Sequence, residues 1–376
     1  MKKALVVHPV MTFFAGAELL CLYVCKALQE AGFQVTLATN ALVPSEAERI
    51  YGMGNVMKNC RHMRIPEFNP IAPRLLVLQK LLYAVRIWFL LEKTEAKVVF
   101  STQSSPFIIP GRKSYHFLYS IVDLFNYPPG SGPGILLEKT GPPGRLYHSI
   151  IGICRKALWE RRFQKPTWFF AVGSRVLRDL RTRGFQNSSL IFPPCRNSFV
   201  PRVPKRKQVV QIARLIPEKR LEMFFTIAQK LPRYRFYLLG RETPIQHKPF
   251  RAYRDGLLSR IPGNVTYVEG VTREHSELLQ ESAVYLYTGN EPGIGISIIE
   301  AIAAGCIPFS PYGVGNADVL GAAKVGFLYK TVEEAADKIG KTLDSEHSEA
   351  DIYEVSRKAE LFTARTFEEH IKSLAQ

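Results

Sequence analysis

Three features of this chain predict an α/β protein built on two doubly wound parallel sheets. Apolar runs of strand length alternate with amphipathic helical runs, the order that builds parallel sheets covered by helices. Several strands run into a glycine, as at Gly240, Gly270 and Gly289, and the carboxyl edge of such a sheet is where ligands bind. The chain has 376 residues, enough for two such domains.

The elements follow in order. Lys3–His8 reads as a buried strand, and a loop through Gly16-Ala17-Glu18 leads to an apolar helix ending at Glu30. Gly32–Thr39 is the next strand and completes a βαβ opening. At Gly16 no side chain keeps a ligand from the backbone. Lys97–Ser101 is a further buried strand. Phe170–Ser174 precedes a basic helix, and Leu190–Cys195 is an apolar stretch with two prolines. The polar, proline-bearing stretch Arg196–Gln208 is the expected boundary. This gives domains over 1–197 and 198–351, with a last helical segment over 352–376. Beyond the boundary, strands are expected at Val209–Arg214, Arg235–Leu239, Val265–Glu269, Val284–Tyr287 and Ile307–Ser310. Helices start near Leu221 and Arg273.

The most informative segment is Glu291-Pro-Gly-Ile-Gly-Ile-Ser-Ile-Ile-Glu300-Ala-Ile-Ala-Ala-Gly305. A helix entered through Gly293 and Gly295 presents unpaired N–H groups and a positive dipole end at Ile296 and Ser297, which suits phosphate. Glu291 and Glu300 would repel phosphate and suit sugar hydroxyls instead. Phosphate and sugar together point to a nucleotide-sugar. A second segment, Val209-Val-Gln-Ile-Ala-Arg214-Leu-Ile-Pro-Glu-Lys219-Arg220-Leu221, puts two cations across a turn at a strand's carboxyl end. Arg214 and Lys219 can converge there on a diphosphate. The bland alternatives are a buried Ala/Ile helix and a solvated basic turn.

These segments resemble the donor-site signatures of retaining GT-B glycosyltransferases, the sucrose-synthase-like and mannosyltransferase-like family. Gly295, Glu300, Ala301, Ala303 and Gly305 fall in the family's register, whereas Glu291 precedes Glu300 by nine residues where the family has eight. Arg214–Arg220 is similar to the family's Gly-Arg-Leu-x-Pro-Glu-Lys-Gly motif, and Gly16–Glu18 to its Gly-Gly-Ala-Glu loop with one glycine changed. The resemblance implies a GT-B fold, with donor and acceptor meeting between two Rossmann-like domains and the last helix crossing back. It gives Arg214 and Lys219 the diphosphate, Glu300 the ribose, Glu291 the sugar and Gly16 a place near donor or acceptor. It puts His116 near the transferring sugar's hydroxyls, with a core histidine as the alternative. Asp123 is a further acceptor-orienting carboxylate, and Asp318 reads as a helix cap. The diphosphate itself would take the acceptor's proton. No metal or cofactor is expected, because fixed cations take a metal's place and no Asp-x-Asp motif is present.

Charge bears on the acceptor. Through Asn197 the chain has 26 Lys and Arg against 11 Asp and Glu, and beyond it 24 against 22. A basic acceptor half favours an anionic acceptor or an anionic membrane. Arg74–Leu91 and Cys154–Phe163 interleave cations with Trp and Tyr, so peripheral membrane contact is expected, with solvated core helices as the alternative. Tyr127–Gly144, rich in Pro and Gly, suggests a lid. No apolar run is long enough to span a bilayer, and the start lacks a signal peptide's features. The six cysteines show no framework spacing, which fits a reducing, cytoplasmic setting at a membrane face. The expected function is hexosyl transfer, with mannose among the sugars the resemblance suggests, to a polyprenyl-diphosphate-linked glycan. Two rivals are a nucleotide-sugar epimerase of the same fold and a nucleic-acid-binding protein. The second rests on the net charge of +17 alone, with no recognition motif to support it.

Overall fold

The computed structural model describes residues 2–11, 14–66, 86–87, 89–102, 112–119, 167–196, 199–241, 248–270 and 273–376. Packing divides the chain into two units, Met1–Ile191 with Phe367–Gln376, and Phe192–Thr366. The first boundary thus falls a little before Asn197, because the Phe192 ring packs tilted against Phe362 at 5.0 Å and Cys195 N–H donates to the Phe362 carbonyl. The segment that returns starts at Phe367 rather than Ile352, since the helix Glu349–Arg357 packs on the helix Ile296–Ala303. Asp123, Tyr127–Gly144, Cys154–Phe163 and most of Arg74–Leu91 lie outside the described residues.

The first unit holds an all-parallel sheet of strands β1 (Lys2–Val7), β2 (Phe33–Thr39), β3 (Arg61–Arg64), β4 (Val98–Ser101), β5 (Lys113–Leu118), β6 (Thr167–Ala171) and β7 (Ser188–Leu190). Its order is β3-β2-β1-β4-β5-β6-β7. The inner strands are apolar on both faces, as helix-covered parallel strands must be: Ala4, Leu5, Val6 and Val7 are fully buried. The helix Gly16–Glu30 follows β1 directly. Its start is pinned by Glu18, whose carboxylate accepts from Ala15 N–H at 2.9 Å and faces His8 Nε2 at 3.5 Å. The last helix, Ala364–Ala375, joins this unit through Phe367 on Phe117, Tyr115 OH donating to the Leu374 carbonyl, and the Lys26–Glu368 pair at 2.7 Å.

The second unit repeats the plan with β8 (Arg206–Arg214), β9 (Arg235–Arg241), β10 (Val265–Glu269), β11 (Ser282–Leu286), β12 (Ile307–Pro311) and β13 (Phe327–Tyr329). Their order is β10-β9-β8-β11-β12-β13, again all parallel. The order reverses between β8 and β11, so their carboxyl ends flank the crevice where doubly wound sheets take ligands. Val209 and Val210 at the centre of β8 are fully buried, with Phe224 packed edge-on against Phe236 at 5.5 Å beneath the sheet. Each such side chain contributes about 1.5–3 kcal/mol on burial.

Candidate active site

The site grows from the carboxyl end of β8. Arg214 is its last residue, and its side chain is exposed. The chain then makes a 3-10 turn over Pro217–Lys219, with Lys219 N–H donating to the Ile216 carbonyl at 3.0 Å. Arg220 follows at φ 49°, a left-handed conformation costing a non-glycine residue about 1–2 kcal/mol. The similar family motif has glycine there, so this chain keeps a cation where a relaxed backbone would be available. The helix Leu221–Lys230 then buries Leu221, Phe224 and Phe225 under the sheet.

The loop after β11 comes to the same place. Thr288 Oγ1 donates to the Lys219 carbonyl at 2.8 Å and is held by Gln211 Nε2 at 3.0 Å, while Asn290 N–H reaches the Glu218 carbonyl. Lys219 Nζ lies 2.6 Å from Glu291 Oε1 and 5.3 Å above the Tyr287 ring, and Tyr287 OH donates to Glu291 Oε2. The displaced Glu291 is therefore brought to Lys219 by the loop. Burial pushes its carboxyl upward, but the charge and hydrogen bond of Lys219, the Tyr287 phenol and the charge of Arg214 outweigh it and hold the group below the usual carboxylate range.

A third loop, Tyr312–Gly315, braces this arrangement. Gly315 N–H donates to the Glu291 carbonyl at 3.2 Å. A Cβ on Gly315 would lie 2.3 Å from the Gly293 carbonyl carbon and 2.7 Å from Ile294 N, backbone against backbone. Gly315→Ala is accordingly expected to displace the loop, lower stability by roughly 1–3 kcal/mol and weaken nucleotide binding. Thermal denaturation and nucleotide titration of that variant test this. Asn316 next to it accepts from Gly295 N–H at 2.8 Å and is fully buried. Asp318 sits in the first turn of the following helix, whose cap position is Gly315.

Gly295 is the cap position of Ile296–Ala303, with ordinary φ −83°. Ile298 N–H returns to the Gly295 carbonyl at 3.3 Å, while Ile296 and Ser297 supply first-turn N–H groups that no helix can satisfy internally. Ser297 Oγ pairs with Tyr285 OH at 2.7 Å. Ile298, Ile299 and Ile302 are fully buried, which explains the apolar composition all round this helix. Gly305, at φ 76°, ends it as Cys306 N–H reaches back to the Ala301 carbonyl. Glu300, one turn in, is 7% exposed and paired through Oε1 with Arg196 Nε at 2.7 Å.

Arg214, Lys219, Glu291, Gly295, Ile296, Ser297 and Glu300 thus all belong to the second unit, whereas Gly16 and His116 belong to the first. Gly16 is the first residue of its helix. His116 lies on β5, 1% exposed, with neither ring nitrogen partnered among the described residues. Burial lowers its pKa from 6.5 to about 3. Between those values the unfolded chain binds a proton that the folded chain does not, so stability falls as pH falls through that window. His116→Phe, beside Phe169 at 5.5 Å, is expected to flatten that acid loss in denaturant melts compared at pH 7 and pH 5. Among the described residues, no group of three or more His, Cys, Asp or Glu is arranged to hold a metal.

Arg196, Tyr287, Gly315 and Asn316 are site residues the sequence reading missed. Tyr287 and Gly315 flank recognised segments and were within reach, but nothing local marks Arg196 or Asn316.

Residues 197–359 match the family model for glycosyl transferases group 1. Over 157 residues, 37% of this chain, the sequence is 28% identical to a GDP-Man:Man(3)GlcNAc(2)-PP-Dol alpha-1,2-mannosyltransferase of Dictyostelium discoideum. The match spans 30% of that protein's length. In structure the chain is similar to Anabaena HepE in complex with UDP and glucose, at TM-score 0.68 and 14% identity over 99% of both chains. It is also similar to WaaG, a glycosyltransferase involved in lipopolysaccharide biosynthesis, at TM-score 0.67 and 15% identity over 99% of both chains. Likenesses at this identity define the fold, which is GT-B.

Proposed function

We propose that this chain, a glycosyltransferase by its group 1 domain and GT-B fold, moves a hexose from a nucleoside-diphosphate sugar to a lipid-linked glycan with retention of configuration. The observation that carries the donor reading is that Arg214 and Lys219 follow β8 while Glu291 and the helix Ile296–Ala303 follow the neighbouring β11, with Lys219 paired to Glu291. Negative charge grows on the departing diphosphate, and fixed cations and backbone N–H groups already aimed there stabilise it without reorganising. Two such cations take the place a metal would fill, which supports metal-independent transfer. Glu300 would receive ribose hydroxyls and Glu291 the sugar's hydroxyls, each as an acceptor of charge-assisted hydrogen bonds. Retention rests on the donor signature's resemblance to retaining enzymes, and the diphosphate would take the acceptor's proton on the face it leaves.

The acceptor reading rests on two observations. The first 197 residues carry most of the net positive charge, which suits a diphosphate-linked lipid at an anionic surface. The Dictyostelium relative is named for transfer to Man(3)GlcNAc(2)-PP-Dol, which supports mannose from a GDP-linked donor and a polyprenyl-diphosphate glycan. No described helix is long and apolar enough to cross a membrane, and the proposed membrane contact is peripheral, on the cytoplasmic face. UDP-, GDP- and ADP-sugars, compared by thermal shift and by nucleoside-diphosphate release with EDTA present, test the reading. Stabilisation by one nucleotide, with chelator-resistant turnover that needs a lipid-linked acceptor, is the expected result. Conversion of the nucleotide-sugar to its epimer without an acceptor would contradict it.

A further inference from the structure

Glu300 is an acidic side chain in a helix that apart from Ser297 is built of Ile and Ala and is packed on nearly every side. An unpaired carboxylate at such a position is costly, and its partner comes from far along the chain. Arg196 leaves the extended stretch after β7 and puts Nε 2.7 Å from Glu300 Oε1. Its guanidinium lies 5.0 Å over the Phe199 ring. The backbone beneath it is fixed as well. Cys195 N–H donates to the Phe362 carbonyl at 2.7 Å, and Cys195 Sγ reaches the Arg196 carbonyl at 3.3 Å.

A pair that served packing alone would gain most from the bidentate fork, in which one guanidinium edge satisfies both carboxylate oxygens. Here the contact is made through Nε to one oxygen. Glu300 Oε2 accepts no hydrogen bond from a described residue and is not among the sealed, unpartnered atoms. One oxygen is anchored, and among the described residues the other has no hydrogen-bond donor.

We propose that Arg196 is a positioning residue of the donor site, holding Glu300 by Oε1 so that Oε2 meets the ribose hydroxyls of a nucleoside diphosphate. The inference rests on the donor reading above and deepens it. Arg196 acts through Glu300 and sets how well the site tells ribose from a sugar lacking those hydroxyls. Removing it frees the Glu300 rotamer, and the ribose contact is lost while the diphosphate contacts of Arg214 and Lys219 remain.

The test titrates GDP, UDP and ADP, each against its 2′,3′-dideoxy counterpart, into the wild-type chain, Arg196→Gln and Arg196→Lys, with thermal melts to establish folding. The wild type is expected to prefer the ribonucleotide by roughly 10- to 100-fold, the range of a hydrogen bond to a charged group. In Arg196→Gln that preference is expected to fall to within about threefold of unity, chiefly through weaker binding of the ribonucleotide. Arg196→Lys should lie between, because an ammonium restores charge but not the side-on N–H geometry. A folded Arg196→Gln that keeps the wild-type preference would overturn the inference and leave the donor reading standing. If the Gln variant does not fold, an undiminished preference in Arg196→Lys overturns it equally. A wild type that binds none of the three diphosphates overturns the donor reading, and this inference with it.

Discussion

Lys219→Ala is expected to lower kcat by roughly 10²–10³-fold, the loss found when one preorganised donor to a developing anion is removed. The same change should move the acid limb of the pH–rate profile. In the wild type, Lys219 supplies the largest of the influences that lower the Glu291 pKa against its burial. A carboxyl with a lowered folded pKa contributes stability above its unfolded value and loses it only as pH falls through the folded one. Without Lys219 the burial remains, so the group titrates at higher pH and the acid limb shifts upward. Its stabilising contribution shrinks for the same reason, because only the Tyr287 phenol and the Arg214 charge remain to oppose the burial. A variant slowed at every pH with an unmoved limb would mean that Glu291 is not the titrating group. Kinetics from pH 4 to pH 8 with a saturating donor supply the comparison.

Glu291→Gln is expected to separate binding from turnover. Glu291 puts a negative charge beside the cations that would receive the diphosphate, and it occupies Lys219 Nζ at 2.6 Å. Neutralising it releases Lys219 and removes a repulsion, so nucleoside-diphosphate affinity should rise by several-fold, as expected for one partly exposed charge interaction. Turnover should nevertheless fall by roughly 10²-fold, because the sugar loses a charged acceptor whose bonds strengthen in the transition state. Titration with the free diphosphate, set beside donor consumption, measures both. Unchanged turnover would mean that the shifted Glu291 has left the sugar and serves only to hold Lys219.

Much of this was legible because it is local. The strand ending at Arg214, the turn to Lys219 and the glycine-entered helix at Ile296 each follow from a dozen consecutive residues, and the sheet order places them together. Two doubly wound sheets likewise follow from alternation and from the continuous apolar runs of β1 and β11. The rest depended on distance along the chain. Arg196 meets Glu300 across 104 residues, and it stood in a stretch that polar residues and prolines marked as a boundary. Asn316 reaches Gly295 from the first position of the next helix, a contact no spacing announces. Glu291 was out of register, and only the fold of its loop brings it to Lys219. The divide at Phe192 and the return at Phe367 were hidden for a related reason, since aromatic pairs such as Phe192–Phe362 join residues far apart in sequence.

The central claim is that the edge formed by Arg214, Lys219 and the helix start at Ile296 binds the diphosphate of a nucleotide-sugar. The most direct measurement is calorimetric titration of the wild type and the Arg214→Ala/Lys219→Ala double variant with a nucleoside, its monophosphate and its diphosphate. The wild type should bind the diphosphate most tightly, and the double variant should lose that advantage while keeping its affinity for the nucleoside. A wild type that binds nucleoside and diphosphate alike, or a double variant that keeps the preference, would contradict it.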